Sequence, residues 1–219
     1  MEMNIKEIIA RRVAQEINDG DVINLGIGIP TLVAGFLPES YDVSFQSENG
    51  FFGLVGLAQE HEIDKDLVNA GGVPAKIKKG AAFFDSSTSF SLIRGGHVDA
   101  TVLGSLQVDQ YGNLANWKVP GKMVPGMGGA MDLVVGAKKV IVAMQHDQKG
   151  THKILEECTL PLTAKGQVNM IITELAAIEV TPKGLVVLEL GPNATKEEVI
   201  EKTGAKLTFV DNIQRYNFG

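Results

Sequence analysis

The spacing of apolar residues predicts a helix at each end of the chain. Between Asn4 and Asn18, aliphatic residues recur every three to four positions, which is the period of an amphipathic helix, and Asp19-Gly20 supplies a stop. A second helix is predicted from Lys196 to Lys202, with Thr195 as its N-cap and Glu198 at the capping-box position.

Short apolar runs bounded by glycine and polar residues predict strands between these helices. The predicted strands are Val22 to Leu25, Asp42 to Gln46, Ala81 to Phe84, Ala100 to Leu103, Val140 to Met144 and Leu185 to Leu190. Further helices are predicted from Thr31 onward, from Ser87 to Ile93 and from Asp132 to Ala137. This alternation favours an α/β fold with a largely parallel sheet covered by helices. Because no repeat or linker interrupts it, we expect one domain over residues 1–219.

The composition is that of a folded globular protein. Of its 219 residues, 44% are hydrophobic and 21% are charged, which excludes disordered and fibrous chains. The net charge of −6 argues against broad charge neutralisation of nucleic acid, although it permits a local basic pocket for an anionic cofactor.

Membrane and secretory signals are not found in the sequence. Cys158 is the only cysteine, so no internal disulfide is possible and a cytoplasmic location is expected. No apolar run approaches the roughly 20 residues that span a bilayer, since Lys138 and Lys139 interrupt the run from Leu133 to Met144. The charged N-terminus leaves no apolar core for a signal peptide.

Three common kinds of site are not supported. The four histidines and Cys158 form no zinc-like spacing, so we expect no metal. No serine lies in a Gly-x-Ser-x-Gly elbow. The chain has 25 glycines, but neither the turn Gly26 to Pro30 nor the run that begins at Gly126 matches a dinucleotide fingerprint or a P-loop.

Glu48 is a candidate nucleophile because of its position. It follows the predicted strand Asp42 to Gln46 and precedes the turn Asn49-Gly50, at the carboxyl edge where open α/β sheets bind ligands. A glutamate is ionised at neutral pH and needs no general base to attack, but it needs a dry pocket lined with donors. The alternative is a solvated glutamate in a turn.

The glycine-rich run from Gly126 to Asp132 is a candidate source of such donors. Its three glycines allow close approach of the backbone to a ligand, and the predicted helix that follows points its free amides into the loop. The alternative is a helix start whose glycines serve packing alone.

Together, six segments resemble the family I coenzyme A transferases, in particular the β subunits of the acetate, butyrate and acetoacetate enzymes and the equivalent C-terminal half of succinyl-CoA:3-oxoacid CoA-transferase. In chain order they are Asn24 to Pro30, Phe45 to Gly50, Ile93 to Asp99, Leu114 to Trp117, Pro120 to Met123 and Gly126 to Asp132. Because the segments keep the family's order, the match is specific, and it implies the α/β fold of that family.

The resemblance implies a ping-pong transfer of CoA between a short-chain acyl-CoA and a carboxylate through a γ-glutamyl-CoA thioester on Glu48. Acetoacetate, acetate and butyrate are the expected acids, which places the reaction in ketone-body and short-chain fatty acid metabolism. CoA is a co-substrate, and no permanently bound cofactor is expected.

Further site residues follow from the resemblance alone. The backbone amide of Gly129 is expected to hold the oxyanion, a role typically worth about 2.7–4 kcal/mol in the transition state. Binding of substrate or CoA is expected at Asn24, Gly26, Gly28, Asn49 and Gly128. The chain has Gly72 where many relatives have a lysine, so a cationic CoA contact is not carried over to that position.

The resemblance also implies a partner, a CoA-transferase α subunit in a hetero-oligomer of α2β2 form. One rival hypothesis is a sugar-phosphate isomerase or ligand-sensing domain of similar α/β architecture, in which Glu48 would transfer protons. A second is a non-catalytic subunit that only completes another chain's site. No nucleic-acid or membrane partner is expected.

Overall fold

A computed structural model of the chain describes residues 4–119, 121, 124 and 126–218. Its helices are α1 (Ile5–Ala14), α2 (Ser86–Arg94), α3 (Ala130–Gly136) and α4 (Lys196–Glu201), with 3-10 helices at Ile29–Phe36 and Glu60–Glu62. None of the described helices is long and apolar enough to cross a bilayer.

The strands are short and numerous. They are β1 (Val22–Leu25), β2 (Ser44–Ser47), β3 (Phe51–Leu57), β4 (Ala75–Phe83), β5 (Ala100–Leu103), β6 (Gln107–Asp109), β7 (Leu114–Ala115), β8 (Lys139–Ala143), β9 (Asp147–Gln148), β10 (Thr151–His152), β11 (Ile154–Leu155), β12 (Met170–Ile172), β13 (Ala176–Thr181), β14 (Gly184–Leu190) and β15 (Leu207–Arg215).

Within the described residues, ten strands form one central sheet in the order β15-β14-β13-β12-β8-β5-β1-β2-β3-β4. The middle of the sheet, from β12 to β2, is entirely parallel. The β2-β3-β4 flank and the β12-β13-β14 flank are antiparallel, and β15 pairs parallel to β14. The prediction of an α/β fold with a largely parallel sheet is therefore confirmed, with antiparallel extensions on both sides.

Each face of the sheet has its own cover. On one face, α1 packs Ile9 and Val13 against Ile23 and Val102, and the 3-10 helix Ile29–Phe36 adds Val33. On the other face, α2 and α3 meet through Ile93 and Leu133, while α4 and a small sheet of β6, β7 and β11 cover the far part. The cover is thus partly β structure, which the sequence pattern did not predict.

The predicted element bounds hold where apolar runs are sharply delimited. β1 and β5 match the prediction residue for residue, and α1 and α2 differ from it only in their terminal residues. Thr195 caps α4 as predicted, because its side chain accepts a hydrogen bond from the Glu198 amide at 3.1 Å. The Glu198 carboxylate pairs instead with Lys202 at 2.8 Å, so no reciprocal bond of a capping box is recorded.

Two predicted elements needed correction. The helix predicted from Thr31 is a 3-10 helix that begins at Ile29, because Gly28 takes a φ of +96° and its carbonyl accepts from the Thr31 amide at 3.2 Å. The strand predicted from Ala81 to Phe84 is β4, which begins already at Ala75. Its added residues are rich in lysine, which is typical of the exposed edge strand that β4 forms.

Candidate active site

A cleft opens at the carboxyl ends of β1, β2 and β5. In the sheet, β2 lies on one side of β1 and β5 lies on the other, so the order of strands reverses at β1. This reversal is the topological switch point where α/β sheets bind ligands. The cleft has a volume of about 710 Å³ and is lined by backbone and side chains from Asn24 to Leu133. The candidate nucleophile and the candidate glycine run both line it.

Glu48 stands in the turn that leaves β2, half-buried at the wall of this cleft. The turn closes when the Gly50 amide donates to the Ser47 carbonyl at 3.0 Å. Gly50 has a φ of +129°, and a Cβ there would collide with the Phe84 carbonyl oxygen, so only glycine fits this position. The sequence Ser-Glu-Asn-Gly therefore fixes where the Glu48 carboxylate emerges from the sheet.

Asn24 holds the Glu48 carboxylate from the neighbouring strand. It is fully buried, and its Nδ2 donates to Glu48 Oε2 at 3.2 Å. The parallel register pairs Asn24 with Gln46, which explains why a side chain on β1 reaches a residue just beyond the end of β2.

Gly129 lies directly against the glutamate. A Cβ added at Gly129 would lie 3.1 Å from Glu48 Cγ and 3.5 Å from Glu48 Oε1, so the two residues are in contact. Gly129 precedes the first residue of α3, and no acceptor for its amide N–H is recorded among the described residues. The Arg94–Asp132 ion pair at 2.7 Å ties α3 to α2 and holds this helix start in place.

The remaining predicted site residues divide into two groups. Gly26 and Gly128 line the cleft with Asn24, Glu48 and Gly129. Gly28 and Asn49 are not among the lining residues. Gly28 begins the 3-10 helix, and Asn49 is exposed with its Nδ2 donating to the Val68 carbonyl at 2.8 Å.

Other segments of the resemblance also reach the cleft or its surroundings. Asn116 and Trp117 line it, whereas Pro120, Lys122 and Met123 lie outside the described residues. Gly72 is exposed in a turn with a φ of +73°.

Two buried polar residues beside the site were not predicted to be functional. Gln46 is 2% exposed and Ser89 is 0% exposed, and Gln46 Nε2 donates to Ser89 Oγ at 2.9 Å. Gln46 also accepts from Asn24 through its Oε1 at 2.7 Å. The available signal was the position of Gln46, two residues before Glu48, because alternate strand residues share a face.

Among the described residues that line the cleft, Glu48 is the only one with an ionisable side chain. The other polar groups there are neutral amides, hydroxyls and backbone, and most of the lining is aliphatic or glycine. No group of three or more metal-ligating side chains occurs in the described parts of the chain. The cleft therefore offers a single carboxylate, neutral donors and an apolar surround.

Comparison with known proteins gives a consistent result. The family model of coenzyme A transferase matches residues 6–202. The β subunit of an acetate CoA-transferase from Haemophilus influenzae is 56% identical over 213 residues, covering 97% of this chain and 95% of that protein.

Longer relatives match over part of their length. A human mitochondrial succinyl-CoA:3-ketoacid coenzyme A transferase is 47% identical over 94% of this chain, which spans 40% of that protein. A solved acyl-CoA transferase structure from Escherichia coli O157:H7 superposes with a TM-score of 0.79 at 21% identity, covering 100% of this chain and 44% of that one. This structural likeness supports the fold.

Proposed function

The chain belongs to the coenzyme A transferase family, and we propose that it transfers CoA between a short-chain acyl-CoA and a carboxylate through a covalent intermediate on Glu48. Acetate, acetoacetate and butyrate are the proposed acids, and CoA is the co-substrate. The proposed reaction belongs to short-chain fatty acid and ketone-body metabolism.

The observation that carries this proposal is that Glu48 is the one ionisable group in the described part of the cleft wall. Proton-transfer chemistry needs a group of matched pKa and commonly a second acid or base, whereas a carboxylate nucleophile needs neither. The nucleophile requires hydrogen-bond donors for the developing negative charge, and it requires a site with little water. The Asn24 amide and the Gly129 backbone supply the donors within an apolar lining.

The proposed reaction begins with attack of a Glu48 carboxylate oxygen on the thioester carbon of the acyl-CoA. The C–S bond breaks, CoA leaves as a thiolate, and an acyl-glutamyl anhydride forms. The thiolate then attacks the glutamyl carbonyl and releases the first carboxylate, which leaves CoA bound to Glu48 as a γ-glutamyl thioester.

The second half of the cycle reverses these steps with a new acid. The incoming carboxylate attacks the glutamyl carbonyl and expels the CoA thiolate, and that thiolate attacks the acyl carbon of the new anhydride. The products are the new acyl-CoA and free Glu48. Every bond broken is replaced by one of the same kind, so the cycle needs neither metal nor ATP.

Gly129 is proposed to stabilise the tetrahedral oxyanions of these steps. Its contact with Glu48, where an added Cβ would lie 3.5 Å from Oε1, supports this role. Removing one such donor typically slows turnover by about a hundredfold to a thousandfold.

The competing isomerase hypothesis has less support from the cleft. A phosphorylated sugar carries a dianion that proteins commonly bind with lysine or arginine, and neither residue type is among the described residues that line the cleft. The hypothesis of a non-catalytic subunit is weakened by the presence of both the glutamate and the glycine run in one cleft.

The test is intact-mass analysis of the chain, reconstituted with the proposed α subunit, after mixing with acetoacetyl-CoA. We expect a mass increase of CoA less one water, mapped to the peptide that contains Glu48. The matched control is Glu48→Gln, which keeps the shape but removes the nucleophile and should stay unmodified. An adduct on another residue, or none in the wild-type complex, would overturn the proposal.

A further inference from the structure

A row of three buried polar side chains leads from α2 to the Glu48 carboxylate. Ser89 on α2, Gln46 on β2 and Asn24 on β1 are each at most 2% exposed. Ser89 stands four residues before Ile93 on α2, and Ile93 belongs to the apolar cluster of Ile93, Val98 and Leu133. Because an unpaired buried polar group is costly, three in succession indicate a function for the row.

The hydrogen bonds of the row have a defined direction. The Asn24 NH₂ group is surrounded by three acceptors, namely the Gln46 carbonyl at 3.3 Å, Gln46 Oε1 at 2.7 Å and Glu48 Oε2 at 3.2 Å. This arrangement assigns the nitrogen of the amide to that side. Gln46 presents its oxygen to Asn24, so its own NH₂ faces Ser89 Oγ and donates to it at 2.9 Å.

The opposite side of the Asn24 amide has no anchor. Its Oδ1 is buried and has no hydrogen-bond partner among the described residues. The rotation of the amide plane is therefore set by its NH₂ contacts alone, and the shortest of these is to Gln46 Oε1. Gln46, held in turn by Ser89, decides where the Asn24 donor points.

We propose that Gln46 and Ser89 are positioning residues that orient the Asn24 amide and, through it, hold the Glu48 carboxylate in line for attack. This inference rests on the proposed role of Glu48 as the nucleophile. It adds that Ser89 on α2, which does not touch the reacting atoms, controls how the Glu48 carboxylate is aligned for attack. The role is positional because Ser89 is not among the residues that line the cleft.

The first test removes the Ser89 hydroxyl. Ser89→Ala takes away the acceptor of Gln46 Nε2 and leaves that amide held by its Asn24 hydrogen bond alone, while alanine is the residue best suited to a helix interior. The matched control is Ser91→Ala on the same helix, because its exposed hydroxyl donates only to the Ser87 carbonyl at 2.7 Å.

The readout is a single turnover of the reconstituted complex at saturating acetoacetyl-CoA. We expect Ser89→Ala to form the Glu48 thioester about tenfold more slowly, since misplacement of a reacting group by about 1 Å costs on the order of a hundredfold. The acetoacetyl-CoA concentration that gives half the maximal rate of thioester formation should stay within about twofold. Ser91→Ala should match wild type in both measurements.

A double-mutant cycle distinguishes a relay from two separate packing defects. Gln46→Met keeps the length of the side chain and removes both the oxygen and the nitrogen of its amide, and we expect it to slow thioester formation on the order of tenfold to a hundredfold. If Ser89 acts only through Gln46, adding Ser89→Ala to this variant changes the rate no further. Gln46→Glu, which keeps an acceptor for Asn24, should recover part of the lost rate.

The outcomes separate this inference from the proposed function. A wild-type adduct on Glu48 together with an unchanged rate in Ser89→Ala overturns the positioning role alone. So does a double variant whose loss is the product of the single losses, or a weakened binding of acetoacetyl-CoA that accounts for the slower rate. The absence of a wild-type adduct overturns the proposed function, and the positioning role with it.

Discussion

At the scale of single residues, the contacts of Glu48 with its two neighbours require a side chain of glutamate length. Its carboxylate accepts from Asn24 Nδ2 at 3.2 Å while its Cγ packs against Gly129. Glu48→Asp withdraws the carboxylate by one methylene from both contacts, so we expect thioester formation to fall at least about a hundredfold. Rapid-quench mass analysis measures this rate, and thermal unfolding checks that the fold is intact. A variant with wild-type kinetics would contradict the proposed geometry.

Gly129 gives the second prediction at this scale. Its φ of −80° suits any residue, so Gly129→Val should fold, but its Cβ would press on Glu48 Cγ at 3.1 Å and its methyl groups would reach further. We expect turnover to fall a hundredfold or more with an unfolding temperature close to wild type. The matched control is Gly35→Ala, an exposed position where a Cβ meets nothing within 4 Å.

The residues of the site were predictable to different degrees. Glu48 was recognisable because a charged residue ends a strand and precedes Asn-Gly, and Gly129 because the glycine run precedes a helix. Ser89 was not recognisable, because a serine in a serine-rich helix gives no signal until its distance to Gln46 is known. The contact between Glu48 and Gly129 joins residues far apart in the chain, and local pattern does not encode it.

At the scale of elements, the turn after β2 depends on Gly50. A Cβ at this residue would collide with the Phe84 carbonyl oxygen, and its φ of +129° is open only to glycine. We expect Gly50→Ala to lower the free energy of unfolding by more than the ~1–3 kcal/mol of backbone strain alone, and to abolish thioester formation. Urea unfolding provides the measurement.

The control for this turn separates strain from collision. Gly20 has a φ of +85° but no atom within 4 Å of an added Cβ, so Gly20→Ala should cost only the backbone strain and leave activity unchanged. Equal destabilisation of the two variants would show that the Phe84 contact does not constrain the turn.

The packing of β8, β12 and α4 gives an element-scale prediction on pH. His146 is fully buried, with its two ring nitrogens 2.8 Å from Thr173 Oγ1 and 2.9 Å from Thr203 Oγ1, and burial lowers its pKa to about 4. In the unfolded chain its pKa is near 6.5. Stability from this group is complete above the unfolded pKa and is lost as the pH falls toward the folded pKa.

We therefore expect the free energy of unfolding to drop between pH 7 and pH 5 by about 2 kcal/mol more in wild type than in His146→Gln, which has no titrating ring. Urea unfolding of both proteins at the two pH values measures the difference. Burial raises the pKa of Glu174, the opposite of its effect on His146. Because Glu174 is present in both proteins, its contribution to the pH dependence of stability cancels in the comparison. Equal drops in both proteins would rule out His146 as the source.

Element boundaries were predictable where composition changes sharply. β1 and β5 are short aliphatic runs between polar and glycine residues, and their bounds followed from the sequence. β3 was missed because Gly53 and Gly56 interrupt its pattern, both with positive φ, and its pairing with β4 shifts register at these points. β15 was missed because it is an edge strand with many polar residues.

At the scale of the whole molecule, the sheet order decides what the site contains. The switch between β2 and β5 on the two sides of β1 places the Glu48 turn beside the ends of β1 and β5. The alternation of helices and strands predicted a parallel core, but it did not predict which strands are neighbours. That information depends on long-range pairing, which the local pattern does not encode.

The exposure of the cleft to solvent leads to the last prediction. We expect that this chain is inactive alone and works with a second subunit. The side chains at one end of the cleft are apolar and exposed, including Ile27 at 79%, Leu57 at 58% and Val55 at 45%. An acyl-glutamyl anhydride formed there would meet water, whereas a covering subunit would exclude it. A permanent subunit interface of this kind buries more than about 2,000 Å² of largely apolar surface.

We expect the purified chain to show no CoA transfer above that of Glu48→Gln, and co-expression with a CoA-transferase α subunit to restore turnover. Light scattering gives the stoichiometry, for which α2β2 is expected, and Ile27→Ser tests the covered end of the cleft. Because its side chain is the most exposed of the three, this variant should weaken assembly while leaving the fold of the isolated chain unchanged. Full specific activity from a monomeric chain would refute the requirement for a partner, since a site that excludes water by itself has no need of a covering subunit.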